Sequence, residues 1–226
     1  MSFTTLRIKF GRKGPISYLG HLDVLRYFQK AIARAGLDVR YSEGFNPHMI
    51  ISFAYPLGVS METLGDYVDV DFITYESCDV IMDSLNRVMN EGIYIIEVSV
   101  VPEGENSAMA AVALADYRIY GNFEQVSQKM IIDYLSQNEI NIEKEGKKGI
   151  NTVDIKPGII EITKEDNNSE NTLFMKLLSG SGLNIKPASV LETLGTFASL
   201  ELKSEKIVRL EIYREKDGAF IPLGYK

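Results

Sequence analysis

The sequence contains one cysteine, Cys78, and two histidines, His21 and His48. A single cysteine excludes an intrachain disulfide and suits a reducing, cytoplasmic setting. It also excludes an iron–sulfur cluster of the radical SAM kind held by this chain alone, because a C-x-x-x-C-x-x-C run supplies three thiolates. C-x-x-C zinc pairs, a G-x-x-x-x-G-K-[ST] phosphate loop and a G-x-S-x-G elbow are absent. No apolar run reaches the roughly 18 residues of a membrane helix. The opening M-S-F-T-T-L-R-I-K-F alternates like a strand and has no signal-peptide core. No cofactor and no membrane contact are expected.

What is present is ordinary globular composition: 226 residues, 45% hydrophobic and 24% charged. That is enough for one large or two small domains without metals or disulfides. The net charge of −7 is unevenly spread. Residues 1–50 carry eight Lys and Arg against three Asp and Glu; the remainder carries sixteen against twenty-eight. A basic first quarter keeps nucleic acid open as a partner. A solvated helix face accounts for the same cations equally well.

Periodicity sets the architecture. In residues 4–10, Leu6, Ile8 and Phe10 alternate with Thr5, Arg7 and Lys9, a half-buried strand with a basic outer face. A helix follows from about Gly20, with Leu22, Leu25, Phe28, Ile32 and Ala35 as its buried stripe. Arg26, Lys30 and Arg34 form a cationic ridge, Asp23 suits the first turn, and Gly36 is the stop. Residues 37–41 and 49–54 read as strand, interrupted by a turn at 42–48 that contains Gly44 and Asn46-Pro47. A strand at 66–72, a helix at 78–90 and a strand at 93–101 complete a β-α-β-β-α-β unit. The second half repeats this plan loosely: strand 117–120, helix 123–135, strand 140–143, a hairpin at 152–163 through Lys156-Pro157-Gly158, strand 172–178, a helix from Pro187, and strand 206–213. The expected fold is α+β: two ferredoxin-like (split βαβ) domains, residues 1–105 and 114–226, each an antiparallel sheet with helices on one face and the other face free.

The residues with chemistry concentrate between Ser17 and Asp71. His21 begins the basic helix beside Asp23, and His48 ends G-F-N-P-H. A neutral imidazole serves as general base, metal ligand or hydrogen-bonding contact. Asp23 or Asp66 would complete a metal set, although the i, i+4 histidine spacing of zinc motifs is missing. The bland alternative is that His21 caps a helix and His48 pins a turn. Phe45 reads as a core plug in preference to an exposed platform. Tyr18, Tyr27 and Tyr41 interleave with Arg12, Lys13, Arg26 and Arg40, a pattern used for stacking on single-stranded RNA.

The runs S-Y-L-G-H-L-D-V-L-R, R-A-G-L, Y-S-E-G-F-N-P-H and P-L-G-V resemble the radical-SAM-linked proteins, a bacterial domain of unknown function fused to or encoded beside a radical SAM protein. The resemblance is collinear over about residues 4–110. His21, Asp23, Ser42, Gly44, Phe45, Asn46, Pro47 and His48 match its pattern; Gly20 stands where the family usually has serine, leaving a glycine cap. The family's glutamate after P-L-G-V corresponds to Glu62 or to Asp66.

The resemblance implies a partner more than a reaction. It points to a subunit, not catalytic alone, that binds a radical SAM protein and helps present a substrate. RNA is a candidate substrate, because ribonuclease and ribosomal-protein genes are frequent neighbours. The expected surface comprises His21, Asp23, Arg26, Lys30, Ser42, Phe45, Asn46 and His48. A second reading is a metal-independent endoribonuclease with His21 or His48 as general base and Arg26 or Lys30 on the phosphate. A third is a purely structural pair of domains.

Overall fold

The computed structural model describes residues 2–146, 149–167, 170–180 and 182–225. In chain order the elements are β1 (Thr4–Arg12), α1 (His21–Arg34), β2 (Ile51–Phe53), β3 (Glu62–Phe72), α2 (Cys78–Val88), β4 (Ile93–Val100), α3 (Ala108–Ala111), β5 (Val112–Gly121), α4 (Gln128–Leu135), β6 (Asn141–Gly146), β7 (Gly149–Asp154), β8 (Ile159–Asn167), β9 (Glu170–Leu178), α5 (Pro187–Ala198), β10 (Ser204–Lys216) and β11 (Ala219–Pro222). They form two compact units, Met1–Ala113 with Arg209–Lys226, and Leu114–Val208. The division expected at residues 105 and 114 gave the C-terminal strands to the second half. Their contacts place residues 209–226 in the first: Arg209 pairs with Asp66, and Lys9 with Glu211.

In the first unit β1 lies between β4 and β3, antiparallel to both. Leu6, Ile8 and Phe10 from β1, with Val68, Val70 and Phe72 from β3, face α1 and α2 and make one apolar core with Phe28, Ile32, Ile81 and Leu85. Helix α1 buries Val24, Phe28, Ala31 and Ile32, one stripe at spacings of four, three and one. Leu22, expected within the stripe, is 63% exposed. It lies about 200° round the helix from Val24. Ser77 caps α2 by accepting the Val80 N–H, which starts that helix at Cys78.

The second face of this sheet is neither basic nor free, contrary to expectation. Arg7 is buried and grips Asp69 with both ends of its guanidinium, at 2.8 and 2.9 Å. The same guanidinium donates to the carbonyls of Leu223 and Asn106, and the Ala108 N–H donates to Asp69 Oδ2. The segments around α3 and β11 therefore cover this face and satisfy the pair, which is what makes a buried ion pair tolerable. Asp217 and Gly218, both at positive φ, form the tight turn between β10 and β11. Gly65 lets β3 approach β10 closely: a Cβ there would stand 2.5 Å from the Leu210 carbonyl.

One edge of β3 carries an interrupted strand. Val39 stands opposite Phe72, and Ile51 opposite Val70. Between them the Arg40 N–H donates to the Asp71 carbonyl, and the Asp71 N–H donates to the Ile50 carbonyl. Both pieces therefore meet β3 at the same residue. Residues 41–49 leave the sheet there as a loop and return to the same level.

In the second unit β9 lies between β5 and β8, antiparallel to both, while β6 and β7 form a separate two-stranded ribbon. The expected hairpin at 152–163 is not one. β7 pairs with β6, β8 pairs with β9, and Lys156–Gly158 is a 3-10 turn between the two sheets. Ile155 and Ile159, buried on either side of the turn, hold its ends. Helix α4 begins at Gln128, later than expected, because Ser127 caps it and Phe123 and Val126 are buried in the turn before. Tyr134 of α4 shares a 2.7 Å hydrogen bond with Thr193 of α5. Burial pushes its phenol up to about 12, against the opposing pull of that bond.

Candidate functional site

The expected site residues fall into three places. The first is the loop of residues 41–49, which holds Ser42, Phe45, Asn46 and His48. A bridge between Tyr41 and Met49 closes its base, and Met49 is buried in the core. Ser42 Oγ accepts the His48 backbone N–H at 3.0 Å and lies 2.8 Å from His48 Nδ1. The Ser42 N–H donates to the His48 carbonyl at 2.8 Å. Gly44 supplies a φ of +112°, which an L side chain would resist. These restraints hold Phe45 at the tip with 112% relative exposure. Phe45 is therefore not a core plug. The loop leaves the sheet edge before Phe45, so no apolar neighbour covers the ring. Asn46 and His48 are exposed beside it.

Ser42→Ala removes an acceptor and the partner of the imidazole together. It should cost about 0.5–1.5 kcal/mol in urea unfolding and speed amide exchange at His48. An unchanged exchange rate would show that the hydroxyl does not hold the loop.

The second place surrounds His21. Gly20 is the N-cap of α1 and offers no side-chain bond. The His21 ring packs edge-on against Phe53, with centroids 5.3 Å apart, and Phe53 stacks in the same way on Phe10 and Phe28. His21, Arg12 and Asp66 line one small cavity of about 10 Å³, room for a single water. Asp66 is buried and takes Arg209 Nε at 2.7 Å and Nη2 at 2.6 Å, with Thr63 donating at 3.2 Å. Arg12, also buried, donates to the carbonyls of Leu19, Gly58 and Met61. Its Nε has no partner among the described residues. Burial raises the Asp66 pKa while Arg209, Thr63 and Arg12 oppose it, and burial lowers that of Arg12.

Arg12, Asp66 and Arg209 were missed as a group, yet two of them carried a signal. Asp66 shares strand parity with Val68 and Val70, and Arg12 with Phe10, so each is a charge at a core-facing position. Glu62, the other match to the family's glutamate, accepts the Gly14 N–H instead.

The third place is the outer face of α1. Arg26 and Asp23 pair at 3.4 Å with both side chains exposed, and Lys30 and Arg34 are exposed on the same face. Such a pair contributes little. The basic first quarter is thinner in space than in sequence. Arg7 and Arg12 are buried, Lys9 pairs with Glu211, and Arg40 pairs with Asp71 and stacks over Phe3. Tyr18 and Tyr41 are exposed, but the Tyr27 hydroxyl accepts the Asn90 N–H. His21 and His48 have separate partners, Phe53 and Ser42. Among the described residues no group of three or more His, Cys, Asp or Glu is gathered to hold a metal. Among the same residues no helix is long and apolar enough to cross a membrane.

Fold and site together define a mixed α/β protein, built mainly of sheet, that presents an ordered, aromatic-tipped loop. The chain belongs to a bacterial family described as "Uncharacterized protein conserved in bacteria (DUF2344)", whose profile matches residues 5–187. No curated protein matches it. Among solved structures, a chain of "Crystal Structure of a Cbf5-Nop10-Gar1 Complex" aligns over 92% of this chain and 50% of its own, at 12% identity and a TM-score of 0.48. This chain thus spans half of that one. "Crystal Structure of an Unknown Protein from Galdieria sulphuraria" aligns over 90% and 99%, at 9% identity and a TM-score of 0.28. Likenesses this distant say nothing about activity.

Proposed function

We propose that this protein is a binding subunit, not catalytic by itself, that docks a radical SAM protein through the loop of residues 41–49. The observation that carries the reading is Phe45, fully exposed on a loop that Ser42 and His48 hold closed. An exposed aromatic on a pre-ordered support buries a large area on binding and loses little entropy. The choice of partner rests on the resemblance to the radical-SAM-linked proteins. We also read each unit as a split βαβ, with residues 37–53 as the interrupted second strand of the first.

Binding is favoured over cleavage by the contacts of the two histidines. The His21 ring packs edge-on against Phe53 and His48 Nδ1 lies 2.8 Å from Ser42 Oγ, contacts that support a structural and binding role for both imidazoles. The loop of residues 41–49 carries Glu43 and no lysine or arginine, which favours a protein over RNA at this surface.

Co-expression with the radical SAM protein encoded nearest to this chain, followed by size-exclusion chromatography with light scattering, tests the reading. A complex with the summed mass is expected. Two separate peaks would remove it, and incubation of the chain with total RNA in chelator would then test the ribonuclease alternative.

A further inference from the structure

The second unit contains an open groove of about 1040 Å³ that the reading above does not use. One wall is made by every consecutive residue from Glu139 to Glu145. The other is made by α5, through residues at helical spacing such as Ser189, Thr193 and Thr196. Strand side chains alternate between faces, so a wall of consecutive residues is a strand's edge, not its face. The strand is β6, whose partner among the described residues is β7 alone. On its other edge, no backbone hydrogen bond from residues 141–145 is made among the described residues. The edge is about 20 Å long at the rise of a strand. An unpaired edge facing a helix across a groove is the arrangement in which an extended segment adds as a further strand.

Charge selects the occupant. Glu139, Glu143, Glu145 and Glu192 line the groove against Lys144 and Lys186, and all four glutamates are exposed. Phe197, edge-on to Tyr134 with centroids 5.8 Å apart, gives the groove an apolar patch. We propose that this groove takes an extended lysine- or arginine-rich segment of a partner protein, added as a strand along β6, with its cations on the glutamates and an apolar side chain against Phe197.

The test uses labelled hexapeptides alternating lysine with valine, the same peptide N-methylated at its odd or at its even positions, and a peptide alternating glutamate with valine. The full chain is titrated by fluorescence polarisation and by amide chemical shifts. The lysine peptide is expected to bind, with shifts in residues 139–145 and 186–197 and an affinity that falls with salt. One of the two N-methylated peptides should bind at least tenfold more weakly, because one set of main-chain N–H groups faces β6. Glu143→Lys with Glu192→Lys should also weaken binding at least tenfold, at exposed positions where an unchanged amide spectrum elsewhere reports an intact fold. The inference is overturned by no binding at millimolar peptide, by equal binding of the glutamate peptide, by shifts confined to other residues, or by full affinity of both N-methylated peptides.

Discussion

Replacing Asp66 with alanine should lower the free energy of unfolding by about 3–5 kcal/mol, the range for removing one partner of a buried ion pair. Asp66 is the carboxylate between two buried guanidinium groups, in direct contact with Arg209 and lining the same cavity as Arg12. Without it Arg209 would keep the Tyr55 carbonyl, and Arg12 would keep its three carbonyls, but the carboxylate that Arg209 grips and that opposes the burial of Arg12 would be gone. Two like charges in a low-dielectric pocket repel, and that repulsion adds to the desolvation already suffered. Asp66→Asn keeps the volume and an acceptor for Arg209, so its loss should be smaller. Urea unfolding gives both numbers. A loss below about 1 kcal/mol, the range of a surface pair, would mean that Asp66 is not the anchor of this cluster.

Phe45→Ala should do the opposite, leaving stability within about 0.5 kcal/mol, as for surface changes away from special features. The exposed ring has no packing to lose in the free protein. The affinity for the proposed radical SAM partner should fall about thirtyfold or more, corresponding to the ~2 kcal/mol of an aromatic hot spot. Lys30→Ala, on the exposed face of α1, is the control and should change affinity little. Isothermal titration separates the outcomes. Equal affinity of the Phe45 variant and the unaltered chain would take the loop out of the interface.

Much of the first unit is legible in the sequence, because its strands alternate cleanly. Leu6, Ile8 and Phe10, and Val68, Val70 and Phe72, each fall on the face their parity predicts. The opposite face could not be read in the same way. Arg7 and Lys9 look like a solvated edge until residues far along the chain fold over them, and Asp69 and Glu211 give them partners. The segment 152–163 misled for a related reason: two alternating runs around Pro-Gly resemble a hairpin, whereas strand partners are chosen by tertiary packing. At the site, the G-F-N-P-H turn was visible from its glycine and proline. The exposure of Phe45 was not, since it depends on the loop leaving the sheet edge at Asp71 and returning there. The Arg12–Asp66–Arg209 cluster needed a partner 143 residues away from Asp66, which no local pattern contains.

Amide hydrogen exchange of this chain, free and mixed with the proposed radical SAM partner, tests the docking role of the loop most directly. Exchange in residues 42–48 should slow on binding, while α2 and the β1–β3 ladder stay as they were. A complex whose protection falls elsewhere, with residues 42–48 exchanging as fast as in the free chain, would contradict the role given to Phe45 and its loop.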